Sequence, residues 1–157
     1  MALTAPLQIT TRPHGPADMR NYRVKDAEVL FMGAYVVLED ASGDVKNLAD
    51  AAGNKPLGRV IGLDPLPGDL DEGEKITGDT SASEPPSVGI DVGGRIELDR
   101  PVTGVVGVAD VGESVFFTDE DTITLTATAS LPALGEVVAF RSTGRADVLL
   151  YSAEKLA

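Results

Sequence analysis

GESVFFTDEDTITLTATASLPALGEVVAF, residues 112–140, is the stretch that decides the fold class. Its second segment has the clearest register in the chain. Ile123, Leu125, Ala127 and Ala129 fall on one side of a period of two, and Thr122, Thr124, Thr126 and Thr128 fall on the other. Strict alternation of apolar and polar residues marks a half-buried strand. The stretch predicts strands over 114–118, 122–129 and 135–142, with Asp119-Glu120-Asp121 as a tight acidic turn. The Thr row suits a solvated or interface-facing side. A last hairpin is expected between 135–142 and 146–152, across Thr143-Gly144-Arg145.

Working back toward the N-terminus, residues 105–109 (VVGVA) read as a short apolar strand. In 88–99 (VGIDVGGRIELD), Val88, Ile90, Val92, Ile96 and Leu98 share one parity. That unbroken register predicts one long strand, kinked at Gly93-Gly94, rather than a hairpin there. Asp91, Arg95, Glu97 and Asp99 then face solvent. Residues 64–87 form a long loop with seven acids (Asp64, Asp69, Asp71, Glu72, Glu74, Asp79, Glu84) and one base, Lys75. A loop of this length in a small domain is usually functional or mobile. GRVIGL (58–63) reads as a short buried strand. Residues 45–53 admit either a short helix capped by Asp44 or an irregular crossing segment. In 27–40, Val29, Phe31, Tyr35 and Val37 allow one register to run through Gly33 as a bend or bulge.

Residues 1–26 carry Pro6, Pro13 and Pro16 and no sustained period. Proline fixes φ and disfavours helix in the residue before it. The segment therefore reads as an extended N-terminal arm, which at ~3.3 Å per residue reaches at most about 85 Å. Its piece 7–11 has the makings of a strand that adds to another sheet.

The chain is long enough for one domain. Its 43% hydrophobic content is near that of ordinary globular proteins, but only 4% is aromatic, so the core must be built from Val, Ile, Leu and Ala. Seventeen Gly and ten Pro suit short strands and frequent turns. The expected class is all-β: a small β barrel or sandwich of about eight short strands, with the extended arm and at most one short helix. The β domain is placed at 27–152, with residues 153–157 as a short polar tail.

The net charge is −12, from 13 Lys+Arg and 25 Asp+Glu. Residues 1–26 hold Arg12, Arg20, Arg23 and Lys25 against Asp18 and Asp26, a net of +2 that leaves −14 for the rest. Such a field repels nucleic acid and anionic membrane, so neither is expected as a partner. Neither a membrane span nor a signal peptide is expected, since no apolar run approaches ~20 residues and the N-terminus has no basic segment leading into an apolar core.

Catalytic chemistry finds little to work with. His14 is the single histidine, set between Pro13 and Gly15, and the chain has no Cys. A general base needs a fixed partner and a pocket, and zinc sites lean on Cys and His. Asp119–Asp121 and 69–74 offer oxygen ligands but not the EF-hand pattern, and read as a solvated turn and a solvated loop. Ser114, Ser130 and Ser142 lack a G-x-S-x-G context. Glu97 and Asp99 are a carboxylate pair of the kind glycosidases use, but on one strand face they read as solvent-facing. No cofactor, metal or enzyme activity is expected.

Three pieces in order carry a resemblance. They are VKDAEVLFMGAYVVL (24–38) after a Pro-containing arm, GRVIGL (58–63), and GESVFFTDEDTITLT (112–126) followed by LGEVVAF (134–140) and ADVLL (146–150). Together they resemble the capsid decoration, or cement, proteins of tailed bacteriophages. The resemblance implies a structural virion protein on the outer surface of an icosahedral head, made in the host cytoplasm. It implies binding to the major capsid protein, bridging its subunits, and a homotrimer at three-fold positions. It places the capsid contact in the arm, at Leu7, Ile9, Arg12, Arg20 and Arg23. The acidic loop is longer and more polar than the family pattern. The alternative function is a β-domain binding module that recognises a carbohydrate or cell surface through that loop.

Overall fold

The computed structural model describes residues 3–7, 9–13, 18–64 and 75–156. The expected all-β class is what the chain adopts. Thirteen short strands and one short helix are present among the described residues: β1 (Thr11–Pro13), β2 (Met19–Arg23), β3 (Val29–Phe31), β4 (Tyr35–Glu39), β5 (Val45–Asn47), β6 (Asn54–Asp64), β7 (Lys75–Thr77), β8 (Ser87–Asp91), β9 (Arg95–Thr103), β10 (Ser114–Phe117), β11 (Ile123–Thr124), β12 (Gly135–Ser142), β13 (Arg145–Leu150) and α1 (Ala153–Leu156).

Two five-stranded rings organise these elements. The C-terminal ring runs β9-β11-β10-β12-β13, and β13 pairs back on β9, which closes a small barrel. β11 joins β9 in parallel, at Val102 and Thr103, while β1 adds to β9 further back, at Arg95, Ile96 and Glu97. The N-terminal ring runs β2-β8-β6-β4-β5. Val24, just past β2, makes a parallel bridge to Val45 of β5, and the Lys25 N–H donates to the Val45 carbonyl at 2.9 Å. A two-stranded ribbon, β3–β7, packs Leu30 and Ile76 against this ring.

Each ring has its own core. Val102, Val115, Phe117, Ile123, Leu134, Val137, Val148 and Leu150 fill the C-terminal one. Val24, Val36, Val45, Val60, Val88, Ile90 and Val92 fill the other. Burying a side chain of this size stabilises by roughly 1.5–3 kcal/mol. β4 is the wall between them. Tyr35 and Val37 point into the C-terminal core and Val36 into the N-terminal one, and all three are buried. Gly58 of β6 lets β8 come close, since a methyl group there would collide with the Asp91 carbonyl.

Several expectations change. The alternating run 122–129 is a strand only at Ile123–Thr124. Past it, the Thr124 hydroxyl accepts the Thr126 N–H at 3.1 Å, a local turn that competes with the ladder. Asp50 then collects the N–H groups of Ala129, Ser130 and Leu131 at 2.8–2.9 Å, which fixes 129–131 as a loop. These bonds hold the Asp50 carboxyl below its usual range, led by those from Ser130 and Ala129.

The long strand over 88–99 is two strands, β8 and β9, one in each ring, with Gly93-Gly94 carrying the chain across. The inward parity does not survive that crossing. Leu98 and Asp99 together oppose Asp147, a β-bulge with Asp99 at φ 49°. Val29–Phe31 and Tyr35–Glu39 likewise belong to different sheets, separated at Gly33, whose φ is +86°.

Residues 45–53 contain strand β5 and no helix. In 105–109 the expected strand is replaced by a 3-10 turn at Val108–Asp110, and the C-terminal tail by α1. Part of the 1–26 arm is body. β2 pairs with β8 through all five of its residues, and β1 with β9 through all three. Of the acidic loop, Lys75–Thr77 is β7, and residues 65–74 lie outside the described residues, as does His14.

Candidate functional site

The feature that sequence reasoning missed lies between the two cores. Arg59 sits in the apolar run of β6 and is fully buried, as is Glu97 of β9. A buried charge is tolerated only when paired and hydrogen-bonded. Arg59 Nε donates to Glu97 Oε2 at 3.0 Å and Nη2 to Oε1 at 2.9 Å, a two-pronged pair. Its Nη1 donates to the carbonyls of Gly33, at 3.0 Å, and Glu120, at 2.9 Å. Its guanidinium carbon lies 5.1 Å from the Phe117 ring centre and 5.7 Å from that of Tyr35. Glu97 therefore does not face solvent as its position in the alternation suggested.

Two further arginines flank the same carboxylate. Arg95 Nε is 3.4 Å and Arg100 Nε 3.5 Å from its oxygens. Arg95 also reaches Asp91 at 3.3 Å, and Arg100 reaches Asp121 at 2.7 Å. Burial pushes the Glu97 carboxyl up, but Arg59, then Arg95 and Arg100, outweigh it and leave the group below the ordinary glutamate range. Burial dominates for Tyr35, whose hydroxyl has no hydrogen-bond partner among the described residues and whose pKa is raised. This arrangement ties β6, β9, the Gly33 bend and the 119–121 turn to one point.

The N-terminal segment runs across this junction. The Leu3 N–H donates to Glu120 Oε1 at 2.8 Å, and the Leu7 N–H to the Met32 carbonyl at 2.9 Å. Gly33 gives the segment room, because a methyl group there would collide with the Leu7 carbonyl. Leu7 and Ile9 are half-buried and share a cleft of about 240 Å³ with Met32, Arg59, Val60 and Arg95. Leu7 also borders a second cleft of about 260 Å³ beside Arg100 and Asp121.

The five sequence-picked residues are thus split. Leu7 and Ile9 lie over the junction. Arg12 stands opposite Ile96 in β1. Arg20 and Arg23 lie on β2 in the N-terminal ring, where Arg20 is exposed and paired with Asp18 at 2.8 Å, and Arg23 reaches the buried Asp44 at 2.6 Å. The 119–121 turn is not simply solvated. Glu120 is only 6% exposed, Asp121 pairs with Arg100, and Asp119 accepts the N–H groups of Asp121 and Thr122 at 2.9 and 2.7 Å. Among the described residues, no group of three His, Asp or Glu side chains is placed to hold a metal ion. No helix among them is long and apolar enough to cross a membrane.

The signal for the junction was present but faint. A lone arginine inside the apolar GRVIGL run asks for a buried anion. Nothing local names Glu97 as that anion, since the two are 38 residues apart. No protein-family model, curated protein or solved structure matches the chain.

Proposed function

We propose that the protein is a non-enzymatic decoration protein of a phage head, which stabilises the shell from outside by bridging major capsid protein subunits, as a homotrimer at three-fold positions. The observation that carries this reading is the ordered run of three sequence pieces, spread over residues 24–150, that resemble the decoration family. Two features of the body suit it. The N-terminal segment lies extended on the surface and meets the body largely through main-chain groups, a form that transfers readily to another chain's sheet. Val106, Val108 and Val111 expose apolar side chains on one short loop, a surface suited to contact with another chain. Repeated attachment around a lattice turns weak single contacts into firm binding.

The test is removal of residues 1–13, which takes β1 off β9 and leaves β2 and both five-stranded rings. The truncated protein should keep a single cooperative thermal transition, lowered by the loss of the β1–β9 pairs, and lose co-sedimentation with expanded heads of the phage that encodes it. Co-sedimentation at wild-type affinity would rule out the N-terminal segment as the capsid contact. No binding of the intact protein to those heads would rule out the decoration role.

A further inference from the structure

Among the described residues, the N-terminal segment, 3–7 and 9–13, is held to its own body by Leu3 on Glu120, Leu7 on Met32, the Thr10 carbonyl accepting the Leu98 N–H at 2.8 Å, the three pairs of β1 with β9, and the packing of Leu3 against the N-terminal core. Thr4, Ala5, Thr10 and Thr11 are exposed, and Leu3, Pro6, Leu7 and Ile9 are only half-buried. Arg59 lines the cleft under Leu7 and Ile9, and Glu97 pairs in register with Thr11; both are fully buried. Segments with little buried apolar surface and solvent-accessible main-chain bonds open at far lower free energy than the core. Peeling this one away gives up the partial burial of Leu3, Pro6, Leu7 and Ile9 but no fully buried side chain among the described residues, and it wets the junction.

Glu120 joins the two layers. Its carbonyl faces inward and accepts from Arg59 and from the Tyr35 N–H, at 2.9 Å each. Its carboxylate faces the segment and accepts from Leu3. The side chain is buried although it lies in a turn.

We infer that the segment is a latched strap: seated on its own body it is unavailable to a partner, and the Glu120 carboxylate is the latch. This rests on the reading of the arm as the capsid contact. The same main-chain groups cannot serve β9 and another sheet at once. The seated state therefore lowers apparent affinity in proportion to the open fraction. It also covers the β9 edge at 95–97 in the free protein, where an open edge invites aggregation.

The chain has no cysteine, so a switchable lock can be introduced cleanly. Thr10→Cys with Leu98→Cys cross-links the pair next to Thr11 and Glu97 in the register. The oxidised protein should bind expanded heads at least about tenfold more weakly than the same protein reduced. Equal binding by both forms overturns the exclusion. Binding by neither form, nor by the wild type, overturns the capsid reading, and the latch is then judged in the free protein by amide hydrogen exchange. In Glu120→Ala the Leu98 amide should exchange about tenfold faster relative to the β12–β13 ladder than in the wild type. An unchanged ratio overturns the latch.

Discussion

The two rings have the same number of strands but close differently. In the C-terminal ring β13 pairs with β9 at five positions, from Arg145↔Pro101 to Leu150↔Arg95. In the N-terminal ring one bridge, Val24↔Val45, does the equivalent work. One barrel is sealed by a ladder and the other is pinned. The pinned ring relies more on what it shares with its neighbour, the β4 wall and the Arg59–Glu97 junction. Stability in this molecule is therefore expected to sit between the rings as much as inside either.

The strongest way to break that comparison is at the junction. Arg59→Met leaves Glu97 buried with only the longer contacts to Arg95 and Arg100, and should cost about 3–5 kcal/mol in urea unfolding. Adding Glu97→Leu should recover part of that loss, because Arg95 keeps Asp91 and Arg100 keeps Asp121. Strict additivity of the two changes would show that the pair does not couple the rings.

Truncation inside each core comes next. Leu134→Ala in the C-terminal core and Leu30→Ala in the N-terminal one should each cost about 2–5 kcal/mol. Both should move a single transition. Two separate transitions in either variant would mean that the wall does not join the rings.

A smaller effect sharpens the difference in closure. The Lys25 amide, bonded to Val45 at the pin, should exchange about tenfold or more faster than amides of the β9–β13 ladder. Equal protection would mean that the pin seals as well as the ladder.

The smallest effect is electrostatic and belongs to the N-terminal ring alone. Glu39 accepts from Lys25, Lys46 and Ser42, which lowers its pKa from 4.5 to about 2. A depressed carboxylate stabilises fully above its unfolded value and loses that contribution as pH falls toward the folded one. Stability should therefore decline between pH 4.5 and about 2, and Glu39→Gln should flatten the thermal-melting profile in that window. An unchanged profile would exclude the cluster around Glu39 as a source of acid sensitivity.

The fold class was legible because alternation, glycine and β-branched residues say "strand and turn" wherever they occur. The 143–145 hairpin was legible in detail, since both arms and the turn are contiguous. Residues 122–129 show the limit. Their alternation is flawless, but Asp50, nearly eighty residues away, offers the backbone of 129–131 a better partner than a neighbouring strand. In 88–99 the same parity spans two rings, and the crossing at Gly93-Gly94 already turns Glu97 inward, ahead of the bulge at Asp99. The resemblance to decoration proteins places Leu7 and Ile9 in a capsid contact; in the structure they lie half-buried against the body. Of the junction beneath them only half was legible: Arg59 inside an apolar run asks for an anion, but Glu97 and Glu120 look like unrelated surface charges until the chain is folded.

The β4 wall also governs the order in which the molecule can be completed on a ribosome. Every strand of the N-terminal ring has been made by Asp91. At that point Tyr35 and Val37 still face the place where the C-terminal core will stand, and Arg59 has no anion until Glu97 follows. The first ring thus emerges with one apolar face bare and one charge unmatched. It waits for residues through Leu150 before either is covered. A nascent chain arrested between these points should be a protease-sensitive intermediate, and release of the last hairpin the event that makes it resistant.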